Sequence, residues 1–378
     1  MMNFLKLDLR SLLVLLIAFV GNAQVINFDL VLVLCVLALF TQFSSGWRTA
    51  RLTPWLAGFF GIILVIAAFR STSIGIPYFD AYFLWPIKAL FLMFLIATGR
   101  NLNWPLGNML ALALICVVLI AIGRIEGGRL FSIFGPNMLY RLFGFLMIFG
   151  AMLYPLRRGP ERFIMLGLAG FGLFASLLTG STGALLIIGA VMALFVLRFS
   201  KKLGWAFWAA CVYLMLTLGP ATVSGQTTFG GAVSLDRLAF KLTNLEADER
   251  VIGWGSILSQ PFSPLGYDHA DFWYLWSFGY NYPHNLFVEL FGFYGGVGLV
   301  LCLAVIIGVI KAVPKAIEGD VISMTLIVLA TGAMVSGDLS DNYGVIGLAC
   351  GLMVRIQLRR TNMPQKLSIR RDHPAQLS

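Results

Sequence analysis

Charged residues are scarce in this chain. Asp, Glu, Lys and Arg make up 12% of its 378 residues, whereas about a quarter of the residues in a soluble domain are charged. Acidic residues are the rarer kind, with 17 against 27 Lys and Arg. Together with 59% hydrophobic residues, this scarcity excludes a soluble globular domain and indicates an integral membrane protein. The apolar runs are continuous rather than alternating, so they predict transmembrane helices and not a β-barrel.

Histidine and cysteine are also few, with three and five copies. The five cysteines all fall in apolar runs: Cys35, Cys116, Cys211, Cys302 and Cys350. That placement argues against a disulfide framework or a thiolate metal site. No phosphate-binding loop, dinucleotide fingerprint, zinc-protease motif or nucleophile elbow is present. The basic residues that give the net charge of +10 do not form a patch interleaved with exposed aromatics, so nucleic acid is not an expected partner.

Apolar runs long enough for a membrane-spanning helix recur about twelve times along the chain. They lie near residues 8–23, 25–43, 54–69, 81–98, 105–122, 138–155, 162–179, 183–198, 203–220, 284–309, 321–336 and 343–358. The sequence therefore predicts an all-α fold, in which residues 1–378 form a single polytopic helix bundle embedded in membrane lipid.

The distribution of Lys and Arg predicts the orientation of this bundle. Most of the 27 basic residues fall in the segments that lie on one side, which the positive-inside rule assigns to the cytoplasm together with both chain ends. Residues 221–283 then form one large outside loop, and residues 359–378 form a basic cytoplasmic tail. The first run, with Gly21 and Ala23 behind it, could be a cleavable signal. A retained span is preferred, because its removal would spoil the charge-derived topology.

The large outside loop is predicted to be partly helical. Leu235, Leu238, Leu242 and Leu245 recur at steps of three and four residues, as in an amphipathic helix. The aromatic residues at 272–282 are typical of a membrane interface, and they are also the side chains that stack on sugar faces. The sequence leaves both interpretations open.

His284 is the most promising reactive residue. Pro283 suits the first position of a helix, so His284 is predicted in the first turn of the apolar helix that follows. Unpaired N–H groups there would keep the imidazole neutral, as a general base requires, and would attract phosphate. The alternative is a histidine that only caps the helix or bonds to a loop.

Several cations are predicted on the outer side, against the positive-inside trend. Arg124, Arg129, Arg141 and Arg250 are such residues, and guanidinium groups bind phosphate through paired N–H bonds. Ordinary ion pairs, for example of Arg124 or Arg129 with Glu126, are the alternative. Lys88 lies within the fourth predicted span, where an ionisable side chain is a functional candidate unless it snorkels to the interface.

Several motifs resemble those of the O-antigen ligase and polysaccharide polymerase superfamily, over roughly residues 120–300. They are Arg250 with Trp254, Pro264-Leu265-Gly266, the turn Thr179-Gly180-Ser181-Thr182-Gly183, and Pro283-His284-Asn285 before an apolar helix. The resemblance implies a metal-independent, inverting glycosyltransferase of the bacterial inner membrane, whose active site faces the periplasm and which needs no cofactor.

The resemblance also implies substrates and residue roles. The donor would be an oligosaccharide on undecaprenyl diphosphate, and the acceptor a sugar hydroxyl of a lipid-linked repeat (polymerase) or of lipid A–core (ligase). His284 would activate the acceptor hydroxyl and Arg250 would hold the diphosphate. The candidate substrate-binding residues are Arg141, Arg129, Arg124, Lys88, Asn285 and Trp254.

The sequence departs from the family pattern at one position, and two other functions are alternatives to the glycosyltransferase. The family often has arginine where Thr182 stands, so another cation must serve here, and this weakly favours a polymerase over a ligase. A transporter or flippase for lipid-linked glycans is the main alternative, although the sequence has no internal repeat. A cell-wall glycan polymerase of the shape and division family would depend instead on Asp268 or Asp271. Those residues, with His269, match no strong metal-ligand spacing.

Overall fold

The fold is described from a computed structural model. It describes residues 7–20, 24–25, 28–29, 33–35, 37–38, 58, 61–65, 84–98, 104–126, 129–199, 249–267, 284–335 and 339–361. Most of these residues are helical. The helices are α1 Leu9–Val20, α2 Trp85–Thr98, α3 Leu106–Ala121, α4 Pro136–Leu153, α5 Pro160–Leu178, α6 Thr182–Phe199, α7 Glu249–Leu258, α8 Leu286–Ile317, α9 Val321–Ala333 and α10 Leu339–Thr361.

Within these described ranges, two short antiparallel strand pairs accompany the helices. β1 (Gln24–Val25) pairs with β2 (Phe28–Asp29), and β3 (Arg124–Glu126) pairs with β4 (Arg129–Phe131). The first pair occupies the beginning of the second predicted span, residues 25–43, so that span does not start where the sequence predicts. In the rest of that span the described residues, 33–35 and 37–38, are helical.

Among the residues that the structure describes, three helices are long and apolar enough to cross a membrane: Pro136–Leu156, Pro160–Leu178 and Leu286–Ile317. Shorter apolar helices are Leu9–Val20, Trp85–Ala97, Leu106–Ala121, Thr182–Arg198 and Val321–Ala333. A mostly helical protein with membrane-spanning helices agrees with the prediction, but the number of about twelve spans is not confirmed. The predicted span 203–220 and the amphipathic helix at 235–245 lie outside the described residues.

Burial separates central helices from peripheral ones. Nearly all of α4 is buried, and it packs against α5, α6 and α9, while α2 packs against α10. The outer face of α8 is apolar yet exposed, as expected of a lipid-facing surface; its members include Leu299, Val300, Leu303, Ile306, Ile307 and Ile310. Among the described helices, α4 is therefore central and α8 is peripheral.

Glycines allow the helix backbones to approach closely. A Cβ on Gly347 of α10 would lie 2.8 Å from the carbonyl oxygen of Ala89 in α2, and a Cβ on Gly172 of α5 would lie 2.6 Å from that of Phe143 in α4. Small residues at helix interfaces are typical of packing in lipid. Gly347 and Gly172 therefore act as packing residues in this fold.

The contacts show which helix ends lie together. At one end, Asn285 before α8 bonds to Met334 after α9, and Trp85 of α2 bonds to Tyr294 of α8. At the other end, Arg198 of α6 bonds to the carbonyl of Met152 in α4. We call these the His284 end and the basic end; the latter also holds Arg157, Arg158, Arg162, Lys311 and Lys315. The alternating helix directions agree with the order of the predicted spans.

Candidate functional site

His284 precedes α8 instead of lying in its first turn. Asn285 is the N-cap, and its side-chain oxygen accepts hydrogen bonds from the N–H groups of Phe287 (3.0 Å) and Val288 (3.2 Å). The predicted helix start at Pro283 is therefore wrong, because a side-chain cap two residues later begins the helix. His284 has φ +56°, a left-handed conformation that is uncommon for a residue other than glycine.

The cap changes the electrostatic argument for His284. Two N–H groups of the first turn bond to Asn285, so they do not point at a ligand. The amide nitrogen of Asn285 donates to the carbonyl oxygen of Met334 (3.0 Å), which is the C-cap of α9. His284 therefore adjoins the place where the positive end of one helix dipole meets the negative end of another.

α8 is broken at Gly295, whose backbone is not helical (φ 52°, ψ −121°). The helical bond between the carbonyl of Gly292 and the N–H of Gly296 is replaced by two bonds to a preceding loop. The N–H of Tyr267 donates to Gly292 O (2.7 Å), and the N–H of Gly296 donates to Pro264 O (2.9 Å). The sequence predicts one continuous helix here, and that prediction is wrong at Gly295.

The part before the break folds back on the part after it. We call residues 286–294 the half-helix. The thiol of Cys302 lies 3.7 Å from the carbonyl oxygen of Phe287, although at 1.5 Å per residue the two would be ~22 Å apart in a continuous helix. Leu290 O likewise contacts Gly298 across the break. The half-helix therefore runs antiparallel to the beginning of the long segment.

This reversal places His284 below the rim of the bundle. Phe287 is level with Cys302, which lies ~10 Å along the helix from Gly295 toward the basic end. α9 rises ~20 Å from Val321 at the basic end to Ala333. Its C-cap Met334 therefore lies at a depth similar to that of Phe287. His284 is therefore set back by ~10 Å from the Gly295 end of the bundle toward the basic end, while its predicted place at a membrane boundary stays a prediction.

Arg141 lies close to the same place. Its side chain is 1% exposed and packs on Gly332 in the last turn of α9, where an added Cβ would lie 2.6 Å from Arg141 Nε. The hydroxyl of Tyr140 donates to Gly332 O at 3.3 Å. Contacts through Asn285, Met334 and Gly332 thus join His284 to Arg141. The end of α9 also gives the guanidinium a structural reason to be there, since cations are favoured near helix C-termini.

The turn between α5 and α6 adjoins this group. Thr179 and Ser181 are buried, and the Thr179 hydroxyl donates to Ser176 O (2.6 Å). A Cβ on Gly183 would lie 2.5 Å from the Tyr140 hydroxyl, so Tyr140 packs directly on the first turn of α6. Thr182, which stands where the resembled family often has arginine, is partly buried beside that contact.

Lys88 is fully buried at the His284 end (0% exposed). Its Nζ lies 5.7 Å from the ring centroid of Tyr343 in α10, within range of a cation–π interaction. One turn earlier, the indole N–H of Trp85 donates to the hydroxyl of Tyr294 (2.9 Å). The side chain does not reach the solvent-exposed surface of the structure, which gives no support to the snorkelling alternative.

Arg124 and Arg129 occupy the β3–β4 hairpin. Arg124 Nε lies 3.1 Å from Glu126 Oε1, and both side chains are well exposed, as the ion-pair alternative predicts. Arg129 is half-buried and lies 6.0 Å over the ring of Phe131. The place of these two arginines in a site shared with Arg141 and His284 stays a prediction.

Arg250 lies at the start of α7, and its side chain is outside the described part of the structure. Trp254 is partly buried and packs against the hydrophobic core, and Ile257 is 1% exposed. α7 contacts α8 and leads into the loop that bonds to the break at Gly295. The backbone therefore connects Arg250 to the half-helix, while its predicted role toward diphosphate stays a prediction.

Other residues at this end were not singled out from the sequence. Tyr140 touches both Gly332 and Gly183, and Glu289 is 4% exposed in the half-helix. A lone acid in an apolar run is itself a signal of a functional position, so Glu289 could have been found. Within the described ranges no three His, Cys, Asp or Glu side chains gather as a metal site. Asp268, His269 and Asp271 lie outside those ranges.

No protein-family model, curated protein or solved structure matches the chain. The resemblance to the O-antigen ligase and polymerase superfamily therefore rests on the quoted motifs alone. Two of those motifs meet in the fold, because the Pro264–Gly266 loop is bonded to the helix that begins after His284 and Asn285. The hydrogen bonds from this loop to α8 give a physical reason for the two motifs to occur together, whether or not a relative is known.

Proposed function

We propose that this protein is a membrane glycosyltransferase that transfers or polymerises undecaprenyl-diphosphate-linked oligosaccharide on the periplasmic face of the bacterial inner membrane. The observation that supports it best is the group of contacts joining His284 and Asn285 to Arg141 through the end of α9. It brings a candidate base and a buried guanidinium to one recessed end of a helix bundle, as the transfer of a sugar from a lipid diphosphate requires.

The chemistry follows from these two groups. The imidazole of His284 takes the proton of the acceptor hydroxyl, whose oxygen attacks the anomeric carbon as the bond from that carbon to the diphosphate oxygen breaks. General-base assistance is typically worth ~10²–10⁴-fold in rate. The lipid diphosphate leaves as an anion and needs stabilising charge rather than a proton, which Arg141 and Arg250 supply. Direct attack inverts the configuration of the sugar.

The orientation is part of the proposal. The basic end holds Arg157, Arg158, Arg162 and Arg198, and it faces the cytoplasm by the positive-inside rule. The His284 end then faces the periplasm, where lipid-linked oligosaccharides are assembled into polymers. In the full chain about twelve spans surround the site, and the polymerase reaction, with a second lipid-linked repeat as acceptor, is favoured over the ligase reaction.

A purified assay with lipid-diphosphate oligosaccharide tests the proposal. We expect His284→Ala to abolish extension or transfer, while the variant still accumulates in the membrane. Arg157→Ala at the basic end, which loses only an exposed ion pair with Glu161, is the matched control and should retain activity. Wild-type kinetics for His284→Ala in this assay would refute the role of the base.

A transporter or flippase for lipid-linked glycans is the second candidate, and one observation favours it. Helices interrupted inside the membrane are typical of transporters, and α8 is interrupted at Gly295. Proteoliposomes separate the two functions: a flippase moves a labelled lipid-linked glycan between leaflets without lengthening it. A transferase forms longer glycan or releases lipid diphosphate, and it does so in detergent without sealed vesicles.

A further inference from the structure

The loop at residues 263–267 and the break in α8 fit together through glycine. Gly266 (φ +82°) would bring a Cβ to 2.6 Å from the N–H nitrogen of Tyr294, and Gly295 (φ +52°) would bring one to 2.7 Å from Pro264 O. Neither backbone conformation suits a residue with a side chain. The loop also closes on itself, since the Ser263 hydroxyl donates to Gly266 O (2.6 Å).

The loop supplies what the broken helix lacks. A helix interrupted within lipid leaves a carbonyl and an N–H that must find other partners. Tyr267 N–H and Pro264 O are those partners for Gly292 and Gly296. The loop therefore holds the half-helix in its folded-back position instead of merely covering it.

The half-helix is held at both ends. At its upper end it bonds to residues 263–267, and at its lower end Asn285 donates to Met334 O. His284 adjoins the lower end, so a shift of the upper end is transmitted along nine residues of rigid helix. The same loop follows α7, which begins at Glu249 and carries Arg250.

We propose that residues 263–267 form a clamp that positions His284, so that the loop segment bearing Arg250 and the half-helix move as one unit. Gly266 and Gly295 are positioning residues in this device, and neither touches substrate. The kinetic consequence rests on the proposed function: closing α7 on the donor diphosphate would bring His284 to the depth at which it meets the acceptor hydroxyl. The mechanical coupling itself requires no particular reaction.

Thiol labelling tests the clamp without any assumption about the reaction. His284→Cys is made in a chain whose other cysteines are replaced by alanine, except Cys302, which is replaced by serine to keep a donor toward Phe287 O. The rate of modification by a membrane-impermeant maleimide is then compared with and without Gly266→Ala. Gly255→Ala in α7 is the matched control, because a Cβ there meets nothing within 4 Å.

We expect Gly266→Ala to change the labelling rate at position 284, and Gly255→Ala to leave it unchanged. An unchanged rate in a Gly266→Ala protein that keeps its thermal unfolding midpoint would overturn the clamp. If Gly266→Ala does not accumulate, the labelling rate at position 284 is measured in Ser263→Ala instead, since this change removes only the hydroxyl bond within the loop. An unchanged labelling rate in Ser263→Ala would also overturn the clamp.

Kinetics in the His284-containing chain distinguish the clamp from the reaction. A misplacement of ~1 Å can lower the rate ~10²-fold, so Gly266→Ala should lower kcat while the donor KM stays near that of Gly255→Ala. A labelling change together with an inactive wild-type protein would refute the glycosyltransferase and leave the clamp standing. Full kcat in Gly266→Ala with altered labelling would show that the depth of His284 is irrelevant to catalysis, which also overturns the positioning role.

Discussion

Replacing Gly332 by alanine tests Arg141 without removing its charge. Gly332 lies in the last turn of α9, and the added Cβ would be 2.6 Å from Arg141 Nε, 3.0 Å from Cγ and 3.1 Å from Cδ. Ordinary carbon contacts lie at ~3.5–4.0 Å. The arginine stem must therefore shift by about 1 Å, and because its surroundings are buried the shift moves the guanidinium relative to the end of α9.

The size of the effect follows from that shift. If Arg141 stabilises the departing diphosphate, misplacement by ~1 Å can cost ~10²-fold in kcat. Alanine inside a helix is about 1 kcal/mol more favourable than glycine, which offsets part of the packing cost. We therefore expect a large kinetic loss with a small change in the free energy of unfolding, a combination that a general folding defect would not produce.

The assay compares two glycine variants in purified protein with a lipid-diphosphate donor. Gly189→Ala in α6 is the control, since a Cβ there meets no atom within 4 Å. Thermal unfolding in detergent is measured on both variants. Equal kcat/KM for Gly332→Ala and Gly189→Ala, with both folded, would place Arg141 outside the reaction and leave it as a residue that only complements the end of α9.

Two further predictions concern the neighbouring side chains. Asn285→Ala should lower the free energy of unfolding by ~1–2 kcal/mol, since an N-cap is worth about that. Asn285→Asp should recover part of this loss, because aspartate keeps the cap but cannot donate to Met334. Equal stability of the alanine and aspartate variants in chemical unfolding would contradict this account of the cap. Lys88→Met keeps most of the buried volume beside Tyr343 but removes the cation that the proposed site would offer to the donor, so the donor KM should rise. An unchanged KM in a folded variant would remove Lys88 from the site.

The helices themselves were predictable because their signals are local. The fifth predicted span, 105–122, became Leu106–Ala121, and the eighth, 183–198, became Thr182–Phe199. Length and hydropathy suffice for such segments, since lipid requires every backbone group to bond within its own helix. The bonded pair at residues 24–29 was missed, because two-residue strands carry no periodicity.

The break at Gly295 was not predictable by the same reasoning. Residues 286–317 form one uninterrupted apolar run, and an apolar run predicts a continuous helix. The bonds that stabilise the break come from Pro264 and Tyr267, which precede their partners Gly296 and Gly292 by 32 and 25 residues, so its cause is non-local. Glycines at 295, 296 and 298 made a break possible, but glycine is as common at close helix contacts in lipid.

The same break explains why the position of His284 was predicted only in part. The sequence indicated correctly that His284 adjoins the start of an apolar helix. Its depth depends on the direction of the half-helix, which reverses at Gly295, and its exclusion from the first turn depends on the cap formed by Asn285. Both are consequences of tertiary structure rather than of the local pattern.

Burial of ionisable groups is the feature that distinguishes the His284 end from a simple outer rim. Among the described residues the buried Lys, Arg, Asp and Glu side chains are Lys88, Arg141 and Glu289, and all three lie at that end. The cations of the basic end are exposed or only partly buried. A helix end in contact with water gives no reason to bury ionisable side chains, and such groups within a membrane bundle mark functional positions. Their gathering beside His284 supports the proposed site, in which the two cations would hold the diphosphate of a lipid-linked donor.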